Sequence, residues 1–535
     1  MDAARIPVLI AGGGPVGLAL AIELGRSGIA CILVEKRDGT VTLPKMSGLT
    51  IRCMEFGRRW GIAAAVRKTG WPAHFPQDYV YCTSLTGPEL GRQRIPPFAE
   101  QRLARTPEPR ASCAQLYYDP ILQAKARSLS GVTLRYRASL RDFTEDRDGI
   151  RATVTDEATG KDEIIAARYL VGCDGAEGAV ARALATQHDG RGLIAPSYNL
   201  FFRAPRLMEI HRKGWARFFR FTDAGGSWGE LVGIDGKQLW RLSVFATDRP
   251  LDPAGLIRRL AGVAVDYDIL SAMPWERSER VSKQYRRGSV FLAGDAAHQN
   301  SPTGGLGLHI GLADAVDLGW KLAARLRGWG GEALLDSYES ERRPAALLNV
   351  RASSEEFDLL AALPGGEGIE EDSARGAALR ERWAEAFRAS NGATSRLYTE
   401  NMLLGYCYEG SPICVPDGSP PISIERRDFV AAARPGMRAP HAWLGEGRST
   451  LDLFGNGFVL LRFAGHVRGG NLAEAGARRG VPLQLVDIAD PAIAELYERN
   501  LVLVRPDGHV AWRGDEPPED ADALIDRVRG ARAPR

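Results

Sequence analysis

Gly12-Gly13-Gly14-Pro15-Val16-Gly17 constrains this chain more than any other stretch of it. The run follows a short apolar segment, residues 7–11, and opens a helical stretch from Pro15 to Arg26, after which Ala30 to Val34 reads as a second strand. A G-x-G-x-x-G between strand and helix marks a β-α-β unit shaped for a dinucleotide. Gly12 permits the tight turn, Gly14 lets a pyrophosphate approach the backbone, and Gly17 lets helix and strand pack closely. The helix start, with Pro15 and Val16, faces the phosphates. Glu35 stands at the end of the second strand with Lys36 beside it. A carboxylate there hydrogen-bonds a free ribose 2′-OH, which favours FAD or NAD and disfavours NADP, whose 2′-phosphate it would repel.

Composition excludes several other classes. With 535 residues the chain is too long for one ordinary core and should hold two or three domains. An apolar fraction of 44% with 25% charged residues is that of a globular protein, which excludes wholesale disorder. Lys+Arg 69 against Asp+Glu 66 leaves +3 without long runs, so there is no electrostatic footprint for nucleic acid or an acidic membrane. The seven cysteines include no C-x-x-C, and the nearest pair, Cys407 and Cys414, lacks metal-ligand spacing. This predicts a reducing, cytoplasmic setting without structural zinc. No apolar stretch reaches the 18 or so residues of a membrane span. Glu23 and Arg26 interrupt the apolar N-terminus, which therefore reads as structure rather than as a signal peptide.

Two further strand-to-turn motifs follow. Tyr169–Gly172 ends in Cys173-Asp174-Gly175-Ala176-Glu177-Gly178, with Arg182 beyond, and Ser289–Ala293 ends in Gly294-Asp295-Ala296-Ala297-His298. The second continues through Ser301-Pro302-Thr303-Gly304-Gly305-Leu306-Gly307-Leu308 into a helix carrying Val316, Trp320 and Ala323, a second helix start suited to an anion. Between about 190 and 285, period-two segments such as Leu239–Val244 predict an antiparallel sheet with one buried face. Phe201, Phe202, Trp215, Phe218, Phe219, Phe221, Trp228, Trp240 and Phe245 fall there, more as sheet core than as pocket wall. Residues 364–378 read as a loop or boundary, helical text runs on to about 405, and the Pro/Gly/Ser-rich stretch 408–424 reads as a linker. Strands predicted at Gly457–Phe463, Leu483–Ile488, Leu501–Arg505 and Val510–Arg513 close the chain with a separate α/β unit.

Taken together and in this order, the three motifs resemble those of the single-component FAD-dependent aromatic hydroxylases, the class A flavoprotein monooxygenases of the para-hydroxybenzoate hydroxylase type, over roughly residues 1–365. The text from Pro435-Gly436-Met437-Arg438-Ala439-Pro440 through Leu451-Asp452-Leu453-Phe454-Gly455 to Leu503–Gly508 resembles the thioredoxin-like tail of phenol, polyketide and indolocarbazole-pathway relatives, here without its C-x-x-C. His441-Ala442-Trp443-Leu444 and His509–Gly514 are most like the indolocarbazole branch, which points to a large polycyclic substrate.

The resemblance implies an α/β fold (α+β overall): a Rossmann-like FAD-binding domain (1–75, 105–189, 286–365) interleaved with an antiparallel-sheet substrate domain (76–104, 190–285). A helical segment and linker (366–424) and a thioredoxin-like domain (425–535) complete it. It implies that Glu35 binds the adenosine ribose of FAD, that Asp295 after Gly294 contacts the ribityl chain and pyrophosphate, and that Pro302, Gly305, Leu306, Gly307 and Leu308 line the isoalloxazine ring. Arg52 and Gln115 match extra FAD contacts, and Asp174 and Gly175 would serve both FAD and a transient nicotinamide cofactor. NADPH or NADH would reduce the flavin, O₂ would add at C4a, and the hydroperoxide would hydroxylate an electron-rich aromatic small molecule. The implied assembly is a monomer or homodimer.

Three departures stand out. Lys45 replaces an arginine, Gly178 replaces a small hydroxyl residue that would cap the following helix, and His309 replaces an asparagine beside the flavin's pyrimidine. The imidazole either titrates near neutrality and influences the ring or acts as a neutral substitute. No catalytic acid or base is distinguished. The alternatives are flavin-dependent oxidation or oxidative decarboxylation of a polycyclic intermediate, an NAD-dependent dehydrogenase, disfavoured by the Gly294-Asp295 motif, and a non-catalytic flavoprotein.

Overall fold

A computed structural model of the chain describes residues 5–101, 104–245, 247, 251–390, 400–424, 429–465, 467 and 469–531. Part of the helical text expected up to 405 (391–399) and the start of the expected tail (425–428) lie outside the described residues.

The first strand, Ile6–Ala11, is sealed in the centre of an eight-stranded sheet, with Val8, Leu9 and Ile10 fully buried. It pairs in parallel with Cys31–Glu35 on one side and with Asp162–Gly172 on the other, and Val290–Leu292 follows in parallel beyond. Such double-sided burial selects continuous apolar runs. The helix Pro15–Arg26 has the predicted limits and is buried along most of its length. Its Glu23 is buried too, accepting from Arg59 Nη2 at 2.8 Å and Trp60 Nε1 at 2.6 Å. The charge that interrupts the apolar N-terminus is therefore an internal ion pair.

The second sheet also has eight strands. Those of residues 188–282 are joined by Tyr79–Cys82 and Glu89–Gln93 at one end and by His298–Gln299 at the other. Its pairs are antiparallel except that Phe218–Asp223 runs parallel to Tyr79–Cys82, with Phe218 beside Tyr79 and Phe221 beside Cys82. Period-two alternation sorts its side chains. Phe202, Phe219, Phe221, Trp228, Trp240 and Leu242 pack with Leu256, Ile257 and Leu260 of the helix Pro253–Ala261. Phe201 lies on the opposite face, with Phe218 packed beside it, and Phe245 meets Phe357 with ring centroids 5.9 Å apart.

The tail forms a four-stranded sheet, its central strand Phe458–Arg462 parallel to Leu483–Asp487 and antiparallel to Leu501–Val504, which pairs with Val510–Gly514. This is a thioredoxin-like arrangement. Two expectations are corrected. The helix Ala374–Ala389 begins inside the stretch read as a loop, started by the Ser373 side chain, which accepts from Gly376 N. The stretch read as a linker from its Pro/Gly/Ser content is packed, with Tyr408, Ile413 and Cys414 buried and Val415 N donating to Ala511 O at 2.8 Å. Composition marked an irregular backbone; burial decided that it was not a tether.

No helix among the described residues is long and apolar enough to cross a membrane.

Candidate active site at the ends of three parallel strands

The strand register brings the three motifs together. Ala11 lies beside both Val34 and Gly172, and Gly172 lies beside Leu292. Gly12, Cys173-Asp174 and Gly294-Asp295 therefore leave neighbouring strands at their carboxyl ends, where open α/β sheets bind ligands. Gly12 has φ +106°, and a Cβ there would stand 2.3 Å from Cys173 O, so two backbones cross with no room for a side chain. A Cβ on Gly17 would stand 2.0 Å from Gly12 O. At Gly14 a Cβ would meet nothing within 4 Å, so that face is open.

The helices Pro15–Arg26 and Gly307–Leu326 start side by side, because Val16 fits between Gly294 and Gly311, where added Cβ atoms would come within 2.9 and 2.6 Å of its Cγ2. Neither start has a side-chain cap or an acidic residue in its first turn. Two helix N-termini with unsatisfied N–H groups thus converge on one groove, an electrostatic setting for a phosphate or another anion.

Glu35 is held in place from both sides, accepting from Gly13 N at 2.7 Å and Arg37 N at 2.9 Å, while the Lys36 side chain is exposed. Asp295 is exposed and makes no hydrogen bond or ion pair among the described residues, which leaves both carboxylate oxygens to receive hydroxyls. Pro302 and Gly305 are exposed at the same loop, and Gly307 and Leu308 are partly exposed.

Other expected site residues point elsewhere. Leu306 is fully buried among Ile51, Met402, Leu403 and Leu404, so its side chain anchors the loop instead of lining the groove. Arg52 turns into the seam with the tail, donating to Glu55 Oε2 at 2.8 Å and Asp507 O at 3.3 Å above the Phe56 ring. His309 is buried, its Nδ1 3.0 Å from Thr50 Oγ1. Burial, with the nearby Arg342 and Arg52 charges, pushes its imidazole down to about 3, which favours the neutral-substitute alternative over a group titrating near neutrality. Asp174 accepts from Val180 N at 3.1 Å and so starts the helix Ala179–Leu184 itself. A Cβ on Gly178 would fall 2.1 Å from Asp174 Oδ1, which explains the glycine: the carboxylate occupies the place of the missing hydroxyl. Gly175 has φ +83° and open space around it.

Gln115 braces the loop after the second strand, accepting from Lys45 N and donating to Asp119 Oδ2, each at 3.1 Å. From the other sheet, Arg241 donates to Pro44 O and Lys45 O, each at 2.8 Å. The Lys45 backbone is clamped on both sides while its side chain is exposed. Asp119 is buried with Oδ1 unpartnered, and burial, opposed by the Gln115 hydrogen bond and aided by Glu35, pushes its carboxyl up to about 7. A raised folded-state value stabilises the fold below the ordinary carboxyl range and loses that stability as pH rises through 7. Asp119→Asn is therefore expected to be more stable than the parent at pH 8, by a few kcal/mol at most, and to show a flatter stability profile between pH 4 and 7. Urea unfolding across pH checks this; a parent-like slope in the variant would refute it.

A buried network that sequence reasoning missed holds the third motif. Asp314 accepts from His298 Nε2 at 2.7 Å, Gly294 N at 3.1 Å and Arg342 Nε at 2.8 Å. Burial alone would raise the Asp314 carboxyl, but His298 and Arg342 hold it below its usual range. His298 ends the quoted motif, but Asp314 and Arg342 lie one and two helices further on, and no spacing rule connects them.

The groove fits FAD: an open glycine face, two uncapped helix starts for the pyrophosphate, a fixed carboxylate for a ribose and a free one for the ribityl hydroxyls.

Comparison with known proteins agrees with the geometry. Residues 5–353 match the family model of the FAD binding domain, and residues 432–531 match that of the aromatic-ring hydroxylase C-terminal domain. The chain is 32% identical to the tetracenomycin B2 monooxygenase-dioxygenase of Streptomyces olivaceus, over 99% of this chain and 98% of that protein. The solved structure of chromopyrrolic acid-soaked RebC with bound 7-carboxy-K252c has a TM-score of 0.93 at 39% identity, covering 99% of this chain and 100% of that one. A ternary complex of aklavinone-11 hydroxylase with FAD and aklavinone has a TM-score of 0.82 at 29% identity, covering 99% and 100%. The chain belongs to the class A FAD-dependent aromatic-ring monooxygenases. Its cofactor is FAD, with NAD(P)H the reductant typical of the family.

Proposed function

We propose that this enzyme hydroxylates a polycyclic aromatic small molecule bound between the FAD groove and the Phe201-bearing face of the second sheet, using O₂. The observation that carries the reading is the meeting of that sheet with the groove: Arg241 grips the 44–45 carbonyls, and Arg277 donates to Ser301 Oγ at 2.6 Å and Thr303 Oγ1 at 3.0 Å on the loop after the third motif. When bound, FAD supplies the redox and oxygen-activating chemistry.

The chain's own residues do the rest. On this reading Gly12, Gly14, Pro15, Val16 and Gly17 receive the pyrophosphate, Glu35 the adenosine ribose and Asp295 the ribityl hydroxyls. Lys36 stands at the rim, and Asp174-Gly175 is the turn nearest a visiting nicotinamide. Pro302, Gly305, Gly307 and Leu308 face the ring. Leu306, His309 and Gln115 fix the loops from behind, and Arg52 supports them from the tail side. Ser243 Oγ donates to Asn199 Oδ1 at 2.7 Å on the sheet face, a polar pair that would orient a substrate hydroxyl or carbonyl. The domain limits given above, a cytoplasmic setting and a monomer or homodimer complete the proposal. A second reading, oxidation or oxidative decarboxylation of a polycyclic acid, is favoured by the likeness to RebC.

The test is an absorption spectrum, then anaerobic NADPH and NADH addition with a panel of polycyclic phenols and acids. Flavin bands with substrate-accelerated bleaching and one oxygen atom in the product support hydroxylation. Loss of CO₂ from an acid without oxygen insertion supports the second reading, and absence of flavin after FAD addition overturns both. Asp295→Ala is expected to weaken FAD binding about tenfold to a hundredfold, the worth of one or two hydrogen bonds to a charged group. Flavin fluorescence titration measures it, and an unchanged Kd would remove Asp295 from the site.

A further inference from the structure

Arg277 is a buried cation without a counter-ion among the described residues. It is 2% exposed, no carboxylate lies within ion-pair distance among the described residues, and its Nε has no partner. Glu230 acts on it only from further off and is itself paired with Arg220 at 2.7 Å. Its guanidinium lies 4.1, 5.1 and 5.5 Å from the ring centroids of Phe357, Trp275 and Phe245, and its two Nη1 acceptors are neutral hydroxyls flanking Pro302. Aromatic faces and hydroxyls solvate a cation but do not neutralise it. Burial accordingly pulls Arg277 down to about 9. The loop bonds need only a neutral donor, and a glutamine would serve. Keeping a guanidinium here, against its desolvation cost, makes sense if a negative charge arrives nearby during turnover.

Substrate-face geometry narrows the source of that charge. Met273, Trp275 and Arg277 alternate onto one face of the same strand, but only Met273, at 39%, is well exposed, and Arg277 is sealed against direct contact with an incoming molecule. The charge must therefore act through space, from the groove side of the 301–305 loop.

We infer that Arg277 sets the electrostatic potential at this loop and stabilises the negative charge that the flavin ring acquires when it takes up electrons. The inference rests on the FAD reading above. Arg277 is a charge-setting and positioning residue, not a catalytic one, since it reaches the ring through the loop.

Sulfite titration of the FAD-loaded enzyme tests it without substrate or turnover: the sulfite lone pair adds to flavin N5 and the ring takes the negative charge. Arg277→Gln keeps a neutral donor for Ser301 and Thr303 and removes the charge; Arg277→Lys keeps the charge and loses the fork. Arg277→Gln is expected to weaken sulfite binding about tenfold and lower the flavin midpoint potential, the effect of one unit charge at an effective dielectric near 20. Arg277→Lys and Ser301→Ala should stay within about threefold of the parent. Lys weakened while Gln is spared, both weakened alike, or neither changed would overturn the inference in favour of a purely structural tie. FAD content and melting temperature of each variant identify misfolding, in which case Ser301→Ala against Arg277→Lys still separates loop bonding from charge. A parent enzyme that takes up no FAD would overturn the underlying reading, and the inference with it.

Discussion

Arg505→Met is expected to cost about 3–5 kcal/mol of stability, the range for stranding buried carboxylates by removing their cation. Arg505 donates to Glu341 Oε1 at 2.6 Å, Asp317 Oδ1 at 3.0 Å and Asp507 Oδ2 at 2.6 Å, and no side chain in this group is more than 2% exposed. Lys321 bonds the same Asp317 and Glu341, at 2.7 and 2.6 Å. Five ionisable groups are thus shared among the helix Gly307–Leu326, the long helix Glu332–Ala361 and the tail. Burial pushes Asp317 well up, while Arg505 holds Asp507 well below its usual value despite burial. Without Arg505, one lysine is left with three buried acidic groups. Arg505→Met combined with Glu341→Gln is expected to recover part of the loss, because it removes one stranded charge. Urea unfolding followed by tryptophan fluorescence measures both variants. Trp320 and Trp329, 6.4 Å apart and packed on Phe458, sit at this seam and report its opening. A loss under 1 kcal/mol for the single variant would mean that the seam relaxes to admit water.

Gly12→Ala and Gly14→Ala are expected to separate fold from ligand. At Gly12 the new methyl meets Cys173 O at 2.3 Å, backbone against backbone in the centre of the parallel sheet, at a φ that L-residues avoid. Purified Gly12→Ala should carry almost no flavin and melt well below the parent. At Gly14 the methyl touches no protein atom, so the apo form should melt like the parent. Its FAD affinity should still fall by about tenfold or more if, as proposed above, the open face is the approach path of the pyrophosphate. The ratio of flavin to protein absorbance, with apo-protein melts, reads both. A Gly14→Ala protein that binds FAD as tightly as the parent would place the pyrophosphate elsewhere.

Much of this was legible along the chain because the signals are local. A strand ending in glycines, then a helix, produced the Ile6–Ala11 and Pro15–Arg26 elements almost to the residue, and strict alternation marked Leu239–Val244. The side chains of Arg52, Leu306 and His309 were misplaced for one common reason. Each lies on a loop or helix start whose backbone is at the groove, and sequence position does not say which way a side chain turns when a hydrophobic seam and a buried ion pair lie on the other side. Composition also misread residues 408–424, since Pro, Gly and Ser describe backbone irregularity and carry no information about what covers it.

By itself, the sequence determined the dinucleotide unit, the order of the three motifs and the two-faced sheet, because backbone sterics and period-two or 3.6 patterning act between near neighbours. Only the tertiary structure decided that Asp314, His298 and Arg342 form one brace, that Arg505 locks the tail to the helix Gly307–Leu326, and that Arg277 has no counter-ion among the described residues. Those outcomes depend on which charges share a volume closed to water, and partners separated by tens to hundreds of residues meet there only after the chain has folded.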